Sequence, residues 1–232
     1  MSHAHQPVIE IENLNKQFQV GQTGIEALKD INLEIRSTDF CIVYGPSGCG
    51  KTTLLNIIAG IDTPTSGSVR VRDKDIFKMP EDERGIYRSK KFGIIQQMPY
   101  WVKSLSTLEN VALPLLIEGQ TKQEATHRAS LVLKELKIES FANQAPTELS
   151  GGQQQKASLA RALVSSPWIL LCDEPTGNLD SKSADEIMSL FHMLNTKFKR
   201  TIILVTHNQS YWKIGTREVE MRDGGIVKDT RT

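Results

Sequence analysis

Long apolar runs are missing from this sequence, and no stretch of its 232 residues approaches the roughly 20 apolar positions needed to span a bilayer. The opening segment from Met1 to Glu10 also lacks the apolar region of a secretory signal. A membrane served by this chain would therefore be served from the aqueous side. Cysteine is scarce: Cys41, Cys49 and Cys172 show no paired spacing, which argues against a zinc site or a disulfide framework and for a reduced, cytoplasmic setting. Charge of one sign is not in excess either, because 28 Lys and Arg face 27 Asp and Glu for a net charge of +1. That balance argues against a nucleic-acid binder relying on a strong positive field. Internal repeats and low-complexity segments are also lacking.

What remains is an ordinary globular composition, 39% hydrophobic and 24% charged, long enough for one large α/β domain or a domain carrying a subdomain. The first 60 residues read as strands over Val8 to Phe18, Ala27 to Ile35 and Phe40 to Tyr44, then a glycine loop and a helix from Lys51 to Ala59. Strand-like segments follow at Ser68 to Val71 and Phe92 to Ile95. Helical patterns take over at Leu108 to Leu116, Lys122 to Leu136 and Gly152 to Ser165. The buried-strand runs Trp168 to Cys172 and Thr201 to Thr206 flank a helix from about Ser183 to Lys199, and Asp223-Gly224-Gly225 reads as a hairpin turn between Glu218 to Arg222 and Ile226 to Lys228. Short apolar runs followed by loops and helices suit a mostly parallel sheet covered on both faces. The expected division is a core with an antiparallel β part over 1–96 and 166–232, interrupted by a helical subdomain over 97–165.

Gly45-Pro46-Ser47-Gly48-Cys49-Gly50-Lys51-Thr52 matches the phosphate-binding loop pattern at a strand-to-helix junction, the context that gives the pattern meaning. Glycines let successive backbone N–H groups converge on phosphate oxygens, and the following helix N-terminus adds favourable potential. Lys51 would reach the β and γ phosphates. The Thr52 hydroxyl would ligate Mg²⁺ between them, and Thr53 continues the helix. Cys49 is open to two readings, a thiol made reactive by converging dipoles and Lys51, or simply a small residue that fits.

The apolar run Ile169 to Cys172 ends in Asp173-Glu174, and because alternate strand residues face opposite ways these carboxylates can do different jobs. Asp173 would hold Mg²⁺ through its water shell while Glu174 orients or deprotonates the attacking water. Acidic residues at a strand end can equally cap a helix. His207 ends the next apolar strand and could donate to the γ phosphate. His3, His5, His127 and His192 have no neighbours in sequence that raise them above structural histidines.

Leu149-Ser150-Gly151-Gly152-Gln153, with the phosphate loop before it and Asp173-Glu174 after it, makes the chain resemble ABC-transporter ATPase subunits over nearly its whole length. The resemblance implies a P-loop NTPase fold, ATP hydrolysis with Mg²⁺, and head-to-tail pairing of two copies. In that pairing Ser150, Gly151 and Gly152 of one copy contact the γ phosphate held by the other copy's Lys51. A cap on the helix that follows would explain the shape of Ser150 to Gly152 equally well. Gln97 is similar to the family's lid glutamine, which senses Mg²⁺ and the attacking water, with Gln96 the competing choice. Asp180 resembles the acidic residue that crosses the dimer seam. Phe18 matches the aromatic position that stacks on adenine, a core role being the alternative.

Within the family, Asp173 to Asp180 together with Leu108-Glu109-Asn110-Val111 and Pro114-Leu115 is most similar to the bacterial lipoprotein-release, macrolide-export and cell-division group. That group implies a membrane permease with a large extracytoplasmic domain as partner, and a place at the cytoplasmic face of the inner membrane. Two features depart from the group: Lys156 stands where arginine is usual, and Met98-Pro99-Tyr100-Trp101 is unusual beside the lid glutamine. The aromatics Tyr100 and Trp101 are read as a permease-facing surface, against the alternative that they pack on the helical subdomain. The competing functions are a non-transport ABC ATPase, for which neither a second cassette nor a coiled-coil insertion is present, and a nonhydrolytic nucleotide-gated scaffold.

Overall fold

Residues 7–21 and 23–231 are described by the computed structural model, which divides the chain into two compact units. His3 and His5 lie outside the described residues.

The first unit holds Met1–Arg88 and Leu194–Thr232. Strands β1 (Pro7–Val20) and β2 (Thr23–Arg36) form a long antiparallel hairpin, and β4 (Ser66–Val71) and the short β5 (Lys74–Asp75) extend it in the order β2-β1-β4-β5. Alternation sets the faces: Ile9, Ile11 and Leu14 stand opposite Ile35, Leu33 and Ile31, all buried. Asn13 and Asp30 take positive φ angles of 49° and 45° where this register slips, so both strands stay paired around the irregularity. Strand β3 (Phe40–Tyr44) is buried at every position, as a strand with parallel neighbours on both sides should be. Those neighbours are β8 (Thr201–Val205) and β9 (Arg217–Arg222), and β10 (Gly225–Arg231) closes back on β9 through a turn whose Asp223 and Gly224 have φ of 50° and 85°. Helix α1 (Lys51–Ile58) follows β3. The Arg217 guanidinium, 4% exposed, is held bidentately by Asp229 and by the Glu34 carbonyl, and Arg231 reaches Asp39 at 2.9 Å. These ion pairs tie the last two strands to the start of the fold.

The second unit holds Ser89–Met193. Strands β6 (Phe92–Ile95) and β7 (Ile169–Asp173) pair in parallel, Phe92 opposite Ile169 and Ile95 opposite Cys172. Between them in sequence run α3 (Thr107–Ile117), α4 (Lys122–Glu135) and α5 (Gly151–Leu163). Each starts on a capping box, Ser106 with Glu109, Thr121 with Glu124 and Ser150 with Gln153, so two orphan N–H groups are satisfied at each start. Their apolar stripes, including Val111 and Leu115, Ala129 and Leu133, and Leu159 and Ala160, are fully buried. The expected helical stretch 97–165 lies inside this unit, which also takes in β6 and β7. Helices α2 (Glu81–Lys91) and α6 (Ser181–Thr196) each run across a unit boundary.

The expected α/β class is what the chain adopts: parallel strands, an antiparallel β part and a helical run. Among the described residues no helix is long and apolar enough to cross a membrane.

Candidate nucleotide site

Strand β3 delivers the chain into the loop from Gly45 to Gly50, and α1 leaves it at Lys51. Gly50 caps α1 with φ of 101°, and a Cβ there would come within 2.4 Å of the Ala27 carbonyl oxygen. Only glycine satisfies both demands. Pro46, Ser47 and Gly48 are exposed while Cys49 is buried, so the loop shows one face to solvent and packs with the other. Lys51 is 8% exposed, and its ammonium donates to the carbonyls of Gly45 and Pro46 at 2.9 Å each and lies 3.7 Å from the Cys49 sulfur. The loop thus carries a fixed positive charge at a helix N-terminus, where anions are favoured. Thr52 is exposed on the first turn of α1, and Thr53 lies half-buried behind it.

Two further residues of this unit belong to the candidate set. Phe18 on β1 is 38% exposed, opposite Ile25 on β2, and is not a core residue. Its ring carries the Lys16 ammonium at 4.6 Å, which also donates to the Thr63 carbonyl at 2.7 Å. His207 is exposed one residue beyond Thr206, whose N–H donates to the Val43 carbonyl at 3.1 Å.

In the second unit Asp173 closes β7 and Glu174 follows with φ of 47°, a left-handed conformation that costs a non-glycine residue free energy and is common at working sites. The Gly177 N–H closes the turn onto the Glu174 carbonyl at 3.1 Å. This turn meets Gln97, whose amide donates to the Asn178 side chain at 3.3 Å. Gln96 differs: it is half-buried, and its carbonyl accepts from the Gln155 side chain at 3.3 Å.

The Asp180 carboxylate accepts from the Ser183 N–H at 3.0 Å and from its hydroxyl at 2.7 Å, so it caps α6. Those bonds, the backbone one first, hold its carboxyl below its ordinary value. Ser150 likewise caps α5, accepting from the Gln153 N–H while the Gln153 side chain accepts from the Ser150 N–H at 2.8 Å. Ser150 and Gly151 are exposed at that helix N-terminus. Trp101 and Tyr100 part company. The indole N–H of Trp101 reaches Gln154 at 3.1 Å and its ring lies 4.5 Å from the Arg161 guanidinium, whereas Tyr100 is 76% exposed and Met98 69%. Lys156 pairs with Glu186 at 2.7 Å.

The oxygen donors expected for a divalent cation are the Thr52 hydroxyl, the Asp173 carboxylate and the Gln97 amide. Among the described residues no cluster of three or more His, Cys, Asp or Glu side chains is arranged to hold a metal. Few hard oxygen donors suit Mg²⁺, which keeps waters and takes phosphate oxygens rather than a full protein cage. The residue types therefore fit the ion. Lys16, Asn178, Ser183 and the Tyr44–Trp212 pair were not singled out from sequence. A lysine two residues before the candidate aromatic was the one legible signal among them.

The family model for ABC transporters matches residues 28–177. An uncharacterised ABC transporter ATP-binding protein of Methanocaldococcus jannaschii is 44% identical over 95% of this chain and 98% of its own length. The macrolide export ATP-binding/permease protein MacB of Campylobacter fetus subsp. fetus is 44% identical over 97% of this chain, which spans only 35% of that longer protein. Among solved structures, the dimeric post-hydrolysis state of the ATP-binding cassette MJ0796 bound to ADP and Pi aligns with a TM-score of 0.90 and 37% identity. It covers 96% of this chain and 98% of its own.

Proposed function

This chain belongs to the ABC transporter family as an ATP-hydrolysing cassette, and from that premise we propose that it works as a head-to-tail dimer around two Mg-ATP, driving a membrane permease. The observation that carries the reading is the loop from Gly45 to Thr52, with the Lys51 ammonium fixed at the N-terminus of α1.

In this reading Lys51 and the loop N–H groups from Gly45 to Thr52 bind the β and γ phosphates, and Phe18 stacks on adenine. Thr52, Asp173 and Gln97 are the residues that would hold Mg²⁺, which when bound would supply positive charge against the phosphate oxygens. Glu174 accepts the proton of the attacking water, and His207 donates to the γ phosphate. The partner copy supplies Ser150, Gly151 and Gly152 to the same phosphate, and Asp180 lies at the seam. Once the γ phosphate leaves, the charge that joins the two copies is lost, which couples turnover to opening. Residues 97–165 serve as the helical subdomain.

Relatives named as macrolide export ATP-binding/permease proteins support a permease partner, and the residues resembling the lipoprotein-release, macrolide-export and cell-division group suggest one with a large extracytoplasmic domain. With such a partner the chain would work at the cytoplasmic face of the inner membrane. Met98 and Tyr100, both largely exposed, supply apolar area for the contact, beside a Trp101 held by Gln154 and Arg161.

Glu174→Gln is expected to leave a dimer that ATP stabilises and that turns over slowly, while Lys51→Ala loses nucleotide binding. Size-exclusion chromatography with and without ATP, beside a phosphate-release assay, reads both. Wild-type hydrolysis by the Glu174 variant would remove that residue from its role, and an ATP-independent monomer would reject the dimer.

A further inference from the structure

The segment that carries His207 connects β8 to β9, the two strands on either side of β3. At its start the Thr206 N–H donates to the Val43 carbonyl at 3.1 Å. At its end the Thr216 N–H donates to the Phe40 carbonyl at 2.9 Å, and the Phe40 N–H returns a bond to the Thr216 hydroxyl at 2.9 Å. Both ends are thus sewn to the strand that feeds the phosphate loop. Between them run His207, an Asn208-capped turn in which Asn208 accepts from Ser210, and a short 3₁₀ stretch from Gln209 to Ile214.

The middle of this excursion buries Tyr211 and carries, beside it, a ring stack. The Trp212 ring stacks on Tyr44, the residue immediately before Gly45, with centroids 3.8 Å apart and planes within 20°. Tyr44 is buried, so the surface that receives the indole is fixed by the sheet. The indole N–H of Trp212 is buried and finds no acceptor among the described residues. A hydrogen-bond donor left unmade is a cost. Tryptophan is held here by its aromatic face and not by its polar edge.

We propose that Trp212 is a positioning residue for His207: its stack on Tyr44 fixes the turn carrying the histidine against the strand that leads into the phosphate loop. The inference rests on the assignment of His207 to the γ phosphate. With Trp212 removed, the backbone bonds at Thr206 and Thr216 and the buried Tyr211 still tether the segment, but the turn loses its stack on β3. His207 is then held less firmly, and turnover suffers more than ATP binding, because no residue of the phosphate loop itself is changed.

The test is a set of variants assayed for ATP hydrolysis and followed by NMR of the His207 imidazole. Trp212→Leu, which fills the space without an aromatic face, and Trp212→Ala are expected to lower kcat about five- to tenfold while the KM for ATP stays within about twofold. Trp212→Phe keeps the stack and drops the orphan donor, so it should retain kcat and melt no lower than the wild type. Tyr44→Ala should mimic Trp212→Ala, and the double variant should be no worse than either. In the Trp212→Leu protein the His207 ring signals should broaden or shift. Wild-type kcat in Trp212→Leu, additive losses in the double variant, or a further loss on adding Trp212→Leu to His207→Ala would each overturn the proposal. Full activity of His207→Ala alone would instead reject the underlying role of the histidine.

Discussion

Ser183 stands where a side chain on Gly152 would have to go: a Cβ at Gly152 would meet the Ser183 hydroxyl at 2.8 Å and its Cβ at 3.0 Å. The hydroxyl cannot simply swing away, because it donates to the Asp180 carboxylate at 2.7 Å. The two glycines of the Leu149 to Gln153 motif therefore serve packing, Gly151 lying against Leu179 and Gly152 against Ser183. Farther along, Lys156 meets Glu186, so α5 and α6 run together from their first turns.

Gly152→Ala sets two effects against each other. Alanine favours a helix over glycine by up to about 1 kcal/mol, while overpacking costs about 1–3 kcal/mol. With Ser183 held in place the clash should win, and the urea midpoint should fall. Ser183→Gly in the same protein should restore it. Equal midpoints for the single variant and the wild type would show that the helices separate without cost.

The bond from Gln97 to Asn178 makes a second case. At 3.3 Å it is long, so its loss is worth about 0.5–1 kcal/mol, or a two- to fivefold change in rate if Gln97 must be placed for turnover. Asn178→Ala should lower kcat by that factor with ATP affinity unchanged. Gly177→Ala should do more harm, since its new Cβ would lie 2.8 Å from the Gln97 amide nitrogen. Gln96→Ala should be milder than Gln97→Ala; the reverse order in a phosphate-release assay would exchange their assignments.

The parallel strands were legible because β3, β7 and β8 are short apolar runs, and the phosphate loop because phosphate binding demands particular residue types at fixed spacing. Helix α2 was not. Its sequence from Glu81 to Lys91 buries no residue, so it offers no apolar stripe to read. The pair Tyr44–Trp212 joins positions 168 apart by counting along the chain, and each alone reads as an ordinary aromatic. The Arg217 cluster is similar: Asp39, Asp229 and Arg231 look like surface charges until the strands bring them together. Ser150 was legible both as a motif residue and as a cap on α5, whereas the capping bonds of Asp180 follow only once α6 is in place.

The capping boxes of α3 and α4 give a pH dependence of definite sign. The Ser106 N–H and the Lys122 ammonium hold the Glu109 carboxyl below its ordinary value of 4.5, and the Thr121 hydroxyl and N–H do the same for Glu124. A carboxyl lowered on folding stabilises the folded state above its ordinary value, and that contribution is lost as pH falls through the lowered folded value. Stability of the wild type should therefore decline below about pH 4.5 more steeply than that of the Glu109→Gln/Glu124→Gln variant. Urea titrations at several acidic pH values measure the two slopes, and identical slopes would show that the caps do not persist in solution.

The three thiols should react in an order set by burial and by the phosphate loop. Burial pushes the Cys41 thiol up to about 12 and raises Cys172 well above its ordinary value of 9.0, and neither side chain reaches solvent. Both should resist alkylation at pH 8 until the protein unfolds, because the reactive species is the thiolate. Cys49 is 4% exposed, inside the loop and 3.7 Å from the Lys51 ammonium. A small opening of the loop exposes it, so it should label slowly in the native protein, and ATP, which would hold the loop closed and engage Lys51, should slow it further. Mass spectrometry of peptides after timed exposure to an alkylating reagent, with and without ATP, separates the three sites. Equal labelling of Cys49 in both samples would mean that nucleotide does not restrain this loop, whereas labelling of Cys172 ahead of Cys49 would mean that β7 opens before the phosphate loop does.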